Sequence, residues 1–475
     1  MATEYDLVII GGGTGGYVAA IRASQLKMKV AIVEKAELGG TCLHRGCIPS
    51  KALLRSAEVY QQTLHADEFG VQVEKPSLDF TKVQQRKQKI IDQLHQGVQS
   101  LMKKGKIDVY QGFGRILGPS IFSPMPGTIS VEYSDGKEND MLLPKNVLIA
   151  TGSRPNHLSG LEFDHNQILS SDDALTLETL PHSMLIIGGG VIGIEWASML
   201  NDFGVDVTIL EYQDRILSTE DTEISKEMSK LLTKKGIKII TNANVKADSV
   251  KKDKGVSLQV DVNGETQAYQ ADKVLMSVGR KGNIENIGLE NTDIVTEKNL
   301  IMTNEFYQTK ESHIYAIGDV IGGLQLAHVA SHEGLKAVEH IHMAGHTVDK
   351  MDITSIPSCV YSSPEAASIG LTEAQAKEND YEVKVGKFPF KAVGKALVHG
   401  ESEGFVKIIS DRKTNDLLGV HMIGPHVTDM IAEAGLAKFL DATPWEIGES
   451  IHPHPTLSEV IGEAALAVEG NQIHG

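Results

Sequence analysis

Four side chains of this sequence have the types and spacing for thiol chemistry. Cys42 and Cys47 stand five positions apart in residues 39–51, GGTCLHRGCIPSK, and are two of only three cysteines. Five residues of regular helix rise about 7.5 Å, whereas a disulfide joins Cα atoms roughly 4.4–6.8 Å apart. A bond between the two therefore needs a bent first turn, where Gly46 supplies backbone freedom. Pro49 suits the first turn of a helix better than its interior. Thiols at a helix N-terminus feel the positive end of the dipole, which favours thiolate, and Lys51 adds positive charge. A redox-active dithiol is one reading. Two buried structural cysteines, or half a metal site, are the others. At the far end, residues 451–459 read IHPHPTLSE. Pro453 and Pro455 hold the backbone extended around His454, and Glu459 starts a helix from which its carboxylate can fold back. A carboxylate on one imidazole nitrogen fixes the tautomer and raises basicity, as a general base requires. In a chain with 18 histidines, a structural role for His454 is the plainer alternative.

The elements around the cysteines are nucleotide-binding ones. Residues 5–10, YDLVII, read as a buried strand, followed by Gly11, Gly13 and Gly16 as G-x-G-x-x-G, a helical stretch over 17–26, and a second strand over 30–33 ending at Glu34. This is the order of a Rossmann βαβ unit: glycines approach a pyrophosphate at the helix N-terminus and the acid accepts from a ribose hydroxyl. The unit recurs. A strand over 184–187, then Gly188, Gly190 and Gly193, then a strand over 205–210 ending at Glu211, repeat it with the same spacing of 23 positions from first glycine to acid. Asp135-Gly136 and Asn263-Gly264 are hairpin signals. Each precedes a strand closing on glycine, VLIATG at 147–152 and VLMSVG at 274–279. From first fingerprint glycine to closing glycine the copies span 141 and 91 positions. The excess in copy one holds the cysteines and a long amphipathic helix with Val83, Ile90, Ile91, Leu94, Val98 and Leu101 on one face. So two dinucleotide sites are expected, one of them carrying the thiol chemistry.

Residues 310–323, KESHIYAIGDVIGG, run a strand into Gly318-Asp319, where an acid at a strand's carboxyl end can reach a ligand hydroxyl; a turn or cap is the alternative. From about 349 the texture changes to alternating strands over 404–409 and 417–423 and a helix over 427–440, an α+β domain. Cys359 sits in an apolar strand and reads as a core residue. The 475 residues exceed one domain, and the divisions expected are 1–150, 151–280, 281–348 and 349–475. The fold class is α/β, two Rossmann-like domains plus a C-terminal α+β interface domain. The net charge of −17 argues against nucleic-acid or anionic-membrane binding and permits a basic protein partner. Few cysteines argue against a secreted disulfide scaffold. No apolar run reaches the roughly 20 residues of a membrane span, and the first strand starts near Tyr5 with no signal peptide ahead of it. A cytoplasmic protein is the expectation.

GGTCLHRGCIPSK, both G-x-G-x-x-G units, Ala150-Thr151-Gly152, Ile317-Gly318-Asp319 and HPHPTLSE stand here in the order of the pyridine nucleotide–disulfide oxidoreductases, which the chain resembles along essentially its whole length. Within that family it looks like the members that oxidise dihydrolipoyl groups for 2-oxo acid dehydrogenase complexes. The resemblance implies FAD in the first unit, NAD in the second, no metal, and a homodimer made by the C-terminal domain. It implies a lipoyl-bearing acyltransferase (E2) as partner. It assigns the FAD side to Gly11, Gly13, Gly16, Glu34, Lys35, Thr41, Lys51, Gly114, Thr151, Gly152, Asp319 and Ala327, with His328 beside it. It assigns the NAD side to Gly188, Gly190, Gly193, Glu211, Val245 and Gly279. Lys51 pairs with Glu195 by the same resemblance. Cys47 faces the flavin, Cys42 exchanges with substrate, and His454, held by Glu459, serves the partner subunit's site. A flavin–dithiol protein needs a base, which favours the functional reading of His454.

The sequence departs from the family pattern at His44-Arg45, commonly Asn plus an apolar residue; a basic pair there is expected to lower a thiol pKa, with a solvent-facing pair as the alternative. Pro453 replaces a small residue and Thr14 a proline. Glu211 favours a free ribose 2′-hydroxyl over a 2′-phosphate, and Tyr212-Gln213-Asp214 offer no arginine for NADP. Other readings are a glutathione- or mercuric-reductase-like enzyme, or a non-catalytic flavin-binding subunit. Against a mercuric reductase stands the cysteine-free tail EGNQIHG, and against a silent subunit the intact Cys42, Cys47, His454 and Glu459.

Overall fold

The computed structural model describes residues 3–119, 125–344, 346 and 351–474. The expected division between 348 and 349 lies outside them. The chain forms two compact units. One comprises Met1–Ala52, Lys82–Asn156 and Gly279–Met351; the other comprises Leu53–Thr81, His157–Val278 and Asp352–Gly475.

The first unit is built on a seven-stranded sheet. Its central strand, Thr3–Ile10, is buried from Leu7 to Ile10 and pairs in parallel with Val30–Glu34 on one side and Asp140–Ile149 on the other. Runs of Val, Ile and Leu suit a parallel sheet covered on both faces. The strand Asp140–Ile149 first pairs antiparallel with Thr128–Glu132, then parallel with Ile314–Ala316. Between Val30–Glu34 and the edge strand Asp108–Gln111 the chain makes the excursion that carries both cysteines. Helix Gly40–His44 holds Cys42, helix Cys47–Leu64 opens on Cys47, and helix Phe80–Gly105 returns. This long helix buries Lys87, Ile91, Val98 and Met102, but Leu94 and Leu101, expected on its apolar face, are exposed. Its buried stripe is narrower than the sequence period implies.

The second unit repeats the design. A five-stranded parallel sheet has Ser183–Ile187 beside Asp206–Leu210 and Lys273–Met276. A three-stranded meander follows, turning at Asn263-Gly264, whose φ values of 50° and 90° fit a two-residue hairpin. Its C-terminal part is a five-stranded antiparallel sheet with Leu417–Gly424 at the centre. Phe405–Asp411 and Leu417–Gly424 are buried at every position. The alternation expected from sequence is therefore absent: both faces of this sheet are covered, so polar residues such as Lys407 and His421 are interior. The helix after it spans Val427–Phe439. No helix among the described residues is long and apolar enough to cross a membrane.

Candidate active site

The two fingerprints fold alike. Each helix starts directly after the second glycine, at Thr14–Gln25 and Val191–Asp202, with Gly13 and Gly190 as N-caps that offer no side chain to the helix amides. The outer glycines answer to the protein's own packing. Gly11 and Gly188 have φ of +106° and +107°, and an added Cβ would lie 2.2 Å from the Ala150 carbonyl oxygen or 2.5 Å from that of Ser277. At Gly16 and Gly193 a Cβ would fall 2.0 Å from the carbonyl oxygens of Gly11 and Gly188. The middle glycines meet almost nothing: Gly40 Cα at 3.9 Å from Gly13, and no atom within 4 Å of Gly190. Open space above an unsatisfied helix N-terminus is what a pyrophosphate requires, so both sites fit a dinucleotide.

The acids are preset. Glu34 accepts from the amides of Gly12 at 2.6 Å and Ala36 at 2.7 Å. Glu211 accepts from Gly189 and, at 2.6 Å, from Gln213. Each carboxylate spends one lone pair per oxygen on the backbone and keeps others for a ribose hydroxyl. In the first unit a cavity of about 410 Å³ opens at the strand ends, lined by Gly11, Glu34, Lys35, Gly114 and Thr151. Sequence reasoning missed Phe113, Arg154 and Asn283 in the same wall. Asn283 donates to the Thr151 carbonyl at 2.9 Å and its own carbonyl receives the Thr151 hydroxyl at 2.7 Å. Its amide also donates to Gly152 at 2.9 Å. The signal was present: Arg154 and Asn283 follow the two strand-closing glycines, Gly152 and Gly279, by two and four positions.

The thiols share this unit. Cys42 and Cys47 stand as a dithiol, with Cys42 hydrogen-bonded to Cys47. That bond first, then burial and the charge of Cys47, push the Cys42 thiol well above its ordinary range, while Lys51 pulls the other way and Asp319 adds to the rise. The net direction at Cys42 is thus upward, opposite to the lowering expected from its position. A buried thiol hydrogen-bonded to a neighbouring sulfur favours its neutral form. Nor does His44 turn to the thiols; its ring meets the Leu38 carbonyl. The same charges put Lys51 and Asp319 in electrostatic range of Cys42. Tyr17, unremarked in the sequence, feels Cys42 as well as burial, and both raise its pKa.

Asp319 lies in the turn Gly318–Ile321 rather than on the strand, which stops at Ala316. It accepts from the Ser153 hydroxyl, which in turn accepts from Arg280 Nε at 2.8 Å. Buried Glu333 accepts from the Gly318 amide at 2.6 Å; burial raises its pKa, that bond opposes, and Asp319 adds to the rise. Ala327 and His328 open the uncapped helix Ala327–His342. The Thr41 carbonyl accepts from Arg45 at 2.8 Å and closes the Cys42 turn.

In the second unit, Glu195 is buried and accepts from the Tyr361 amide at 3.1 Å. Val245 pairs with Val260 in the meander. Gly279 belongs to the first unit, three positions after Met276, the last residue of the strand Lys273–Met276. His454 Nδ1 lies 2.7 Å from Glu459 Oε1, and Glu459 Oε2 accepts from the Thr456 amide at 2.9 Å. The His454 ring is 79% exposed, leaving Nε2 to solvent. Cys359 is half-buried against the C-terminal core, its thiol 3.9 Å from the Thr428 carbonyl. Among the described residues no group of three or more His, Cys, Asp or Glu could hold a metal.

A paired dinucleotide fold with a dithiol in its first copy is that of a nucleotide-dependent disulfide oxidoreductase. Residues 5–334 match the model of the pyridine nucleotide-disulphide oxidoreductases and residues 356–465 that of their dimerisation domain; the chain belongs to this family. It is 69% identical to the dihydrolipoyl dehydrogenase of Bacillus subtilis and 41% identical to that of Zymomonas mobilis, each over 475 residues with all of both chains covered. Its fold is similar to that of the HOCl-induced flavoprotein disulfide reductase RclA of Escherichia coli, with a TM-score of 0.85 at 26% identity, covering 98% of this chain and 99% of that one.

Proposed function

We propose that this protein oxidises dihydrolipoyl groups to lipoyl and reduces NAD+ to NADH, using FAD and the Cys42–Cys47 couple. The observation that carries the reading is the hydrogen-bonded Cys42–Cys47 pair beside Lys51 and Asp319, in the unit that holds the first fingerprint. When bound, FAD supplies the ring that carries the electron pair and NAD+ the acceptor for it as hydride. Everything else is done by side chains. With Nδ1 committed to Glu459, His454 of the partner subunit presents Nε2 as base to a substrate thiol. The thiolate so formed attacks Cys42 Sγ of the oxidised pair; the Cys42–Cys47 bond breaks and Cys47 leaves as thiolate at the N-terminus of its helix. The second substrate sulfur displaces Cys42 from the mixed disulfide and closes the lipoyl ring. Cys42 recovers a proton, in keeping with the raised pKa that its hydrogen bond to Cys47 and its burial give it.

The FAD side is Gly11, Gly13, Gly16, Glu34, Lys35, Thr41, Lys51, Gly114, Thr151, Gly152, Asp319 and Ala327. The NAD side is Gly188, Gly190, Gly193, Glu211, Val245 and Gly279. Lys51 and Glu195 are catalytic residues in the same proposal. The divisions 1–150, 151–280, 281–348 and 349–475 belong to the same proposal. The dimerisation domain makes the protein a homodimer. Its further partner is the lipoyl-bearing acyltransferase of a 2-oxo acid dehydrogenase complex, in the cytoplasm. Cys42→Ser and Cys47→Ser test the mechanism: each is expected to abolish NAD+ reduction by dihydrolipoamide while keeping bound flavin, and undiminished turnover in either would overturn it.

A further inference from the structure

The redox loop and the long helix Phe80–Gly105 meet on one backbone carbonyl. His44 Nε2 lies 2.8 Å from the Leu38 oxygen, and His95 Nδ1 lies 3.0 Å from the same atom. A carbonyl only accepts, so both ring nitrogens carry hydrogen and the two donors fill its two lone pairs. The rings pack edge to face, centroids 5.2 Å apart at 70°. The remaining nitrogen of His95 faces Glu37 at 3.2 Å and the Gln99 amide at 2.8 Å. His44 is the last residue of the five-residue helix that carries Cys42. His95 belongs to the helix Phe80–Gly105, which leads into the edge strand Asp108–Gln111 as Thr222–Lys234 leads into Lys238–Ile240 in the second copy. Leu38 is buried, and the next amide, that of Gly39, donates to Gly12 at 2.8 Å. One carbonyl thus joins the thiol turn, the long helix and the fingerprint loop.

We propose that His44 and His95 are positioning residues for the dithiol: by binding the Leu38 carbonyl together they hold the Gly40–His44 helix so that Cys42 stays beside Cys47. The inference rests on reading Cys42–Cys47 as the redox couple. Closing the disulfide (dithiol plus oxidised glutathione giving disulfide plus two glutathione thiols) fixes the Cys42 limb. A limb already held loses less freedom on closure. Loosening it favours the dithiol. One hydrogen bond is worth about a fivefold change in equilibrium.

The test is the Cys42–Cys47 dithiol fraction of the FAD-loaded full chain in glutathione buffers, read by alkylation and mass spectrometry. His44→Phe keeps a ring and removes the donor; a shift of about fivefold toward dithiol is expected. His95→Phe is expected to act in the same direction, and the double variant by less than the product. His44→Gln, which returns an N–H near the Nε2 position, should lie within about twofold of wild type. A His44→Phe equilibrium equal to wild type, or a His44→Gln shift as large as that of His44→Phe, overturns the proposal. Should His44→Phe lose flavin, His95→Phe decides, because it lies outside the loop. A wild-type pair that does not equilibrate with glutathione overturns the redox reading itself, and this inference with it.

Discussion

Replacing Glu459 by Gln removes one bond of two. Its carboxylate accepts from His454 Nδ1 at 2.7 Å and from the Thr456 amide at 2.9 Å. Gln keeps one acceptor oxygen and turns the other into a donor, so it can satisfy either partner but not both. The His454 ring is 79% exposed; solvent screening puts the lost bond at the lower end for a charged partner, about 1.5 kcal/mol. That is close to tenfold in rate, and Glu459→Ala, which frees both partners, should cost more. Rapid mixing separates the half-reactions, reduction of the enzyme by dihydrolipoamide and by NADH. Only the first requires a base for a thiol, so Glu459→Gln should slow it about tenfold and leave the NADH phase unchanged. Burial pushes the Glu459 carboxyl up, but the His454 bond and the Thr456 amide bring it net below its ordinary value. The orienting charge is therefore in place above the ordinary carboxylate range and lost as pH falls through the lowered value. The ratio of wild type to variant should be flat near neutral pH and shrink in acid. Equal slowing of both half-reactions, or an unaltered dihydrolipoamide phase, would refute the reasoning.

Gly190→Ala and Gly193→Ala separate binding from folding: the first adds a methyl where no atom lies within 4 Å, the second one 2.0 Å from the Gly188 carbonyl. Calorimetry should find Gly190→Ala folded with NAD binding weakened at least tenfold, and Gly193→Ala unstable; intact NAD binding by Gly190→Ala would contradict the pyrophosphate assignment. Glu211→Gln removes the anionic acceptor held by Gly189 and Gln213, so KM for NAD+ should rise severalfold and discrimination against NADP+ fall; an unchanged cofactor ratio would show that Glu211 does not set it. Lys407, interior in its strand, meets Asp221 at 3.0 Å, Glu223 at 2.9 Å and Glu373 at 2.8 Å. Lys407→Met leaves buried Asp221 without its cation and should cost about 3–5 kcal/mol at neutral pH. Despite burial, hydrogen bonds and the nearby cations bring the pKa values of Asp221 and Glu223 below normal, and bonds from Lys377 and Lys407 do the same for Glu373. Their contribution is present above the ordinary carboxylate range and fades as pH falls through the lowered values, so the deficit should narrow in acid denaturation curves. A deficit that grows in acid would contradict this.

Much of the site was legible because its constraints are local. A glycine that must avoid a carbonyl 2.0 Å away, and an acid that must reach an amide two residues on, leave the same residues in both copies. The residues missed answer to distant partners. Asn283 earns its place from Thr151, and Lys407 from three carboxylates elsewhere in the chain. The alternation expected of the C-terminal strands failed for a related reason: a strand covered on both faces loses its period of two. Which way the Cys42 thiol is pushed was not legible, because a helix dipole can be read from position whereas the Cys42–Cys47 hydrogen bond requires coordinates.

The central claim is that Cys42 and Cys47 exchange an electron pair with the nicotinamide through the flavin. Differential alkylation with peptide mapping tests it on the purified dimer. In the oxidised protein, Cys42 and Cys47 should be recovered as one linked peptide with Cys359 outside it. Anaerobic addition of one equivalent of NADH should make both alkylatable, and only in flavin-loaded protein. Recovery of unlinked Cys42 and Cys47 before reduction, or alkylation indifferent to NADH, would contradict the account.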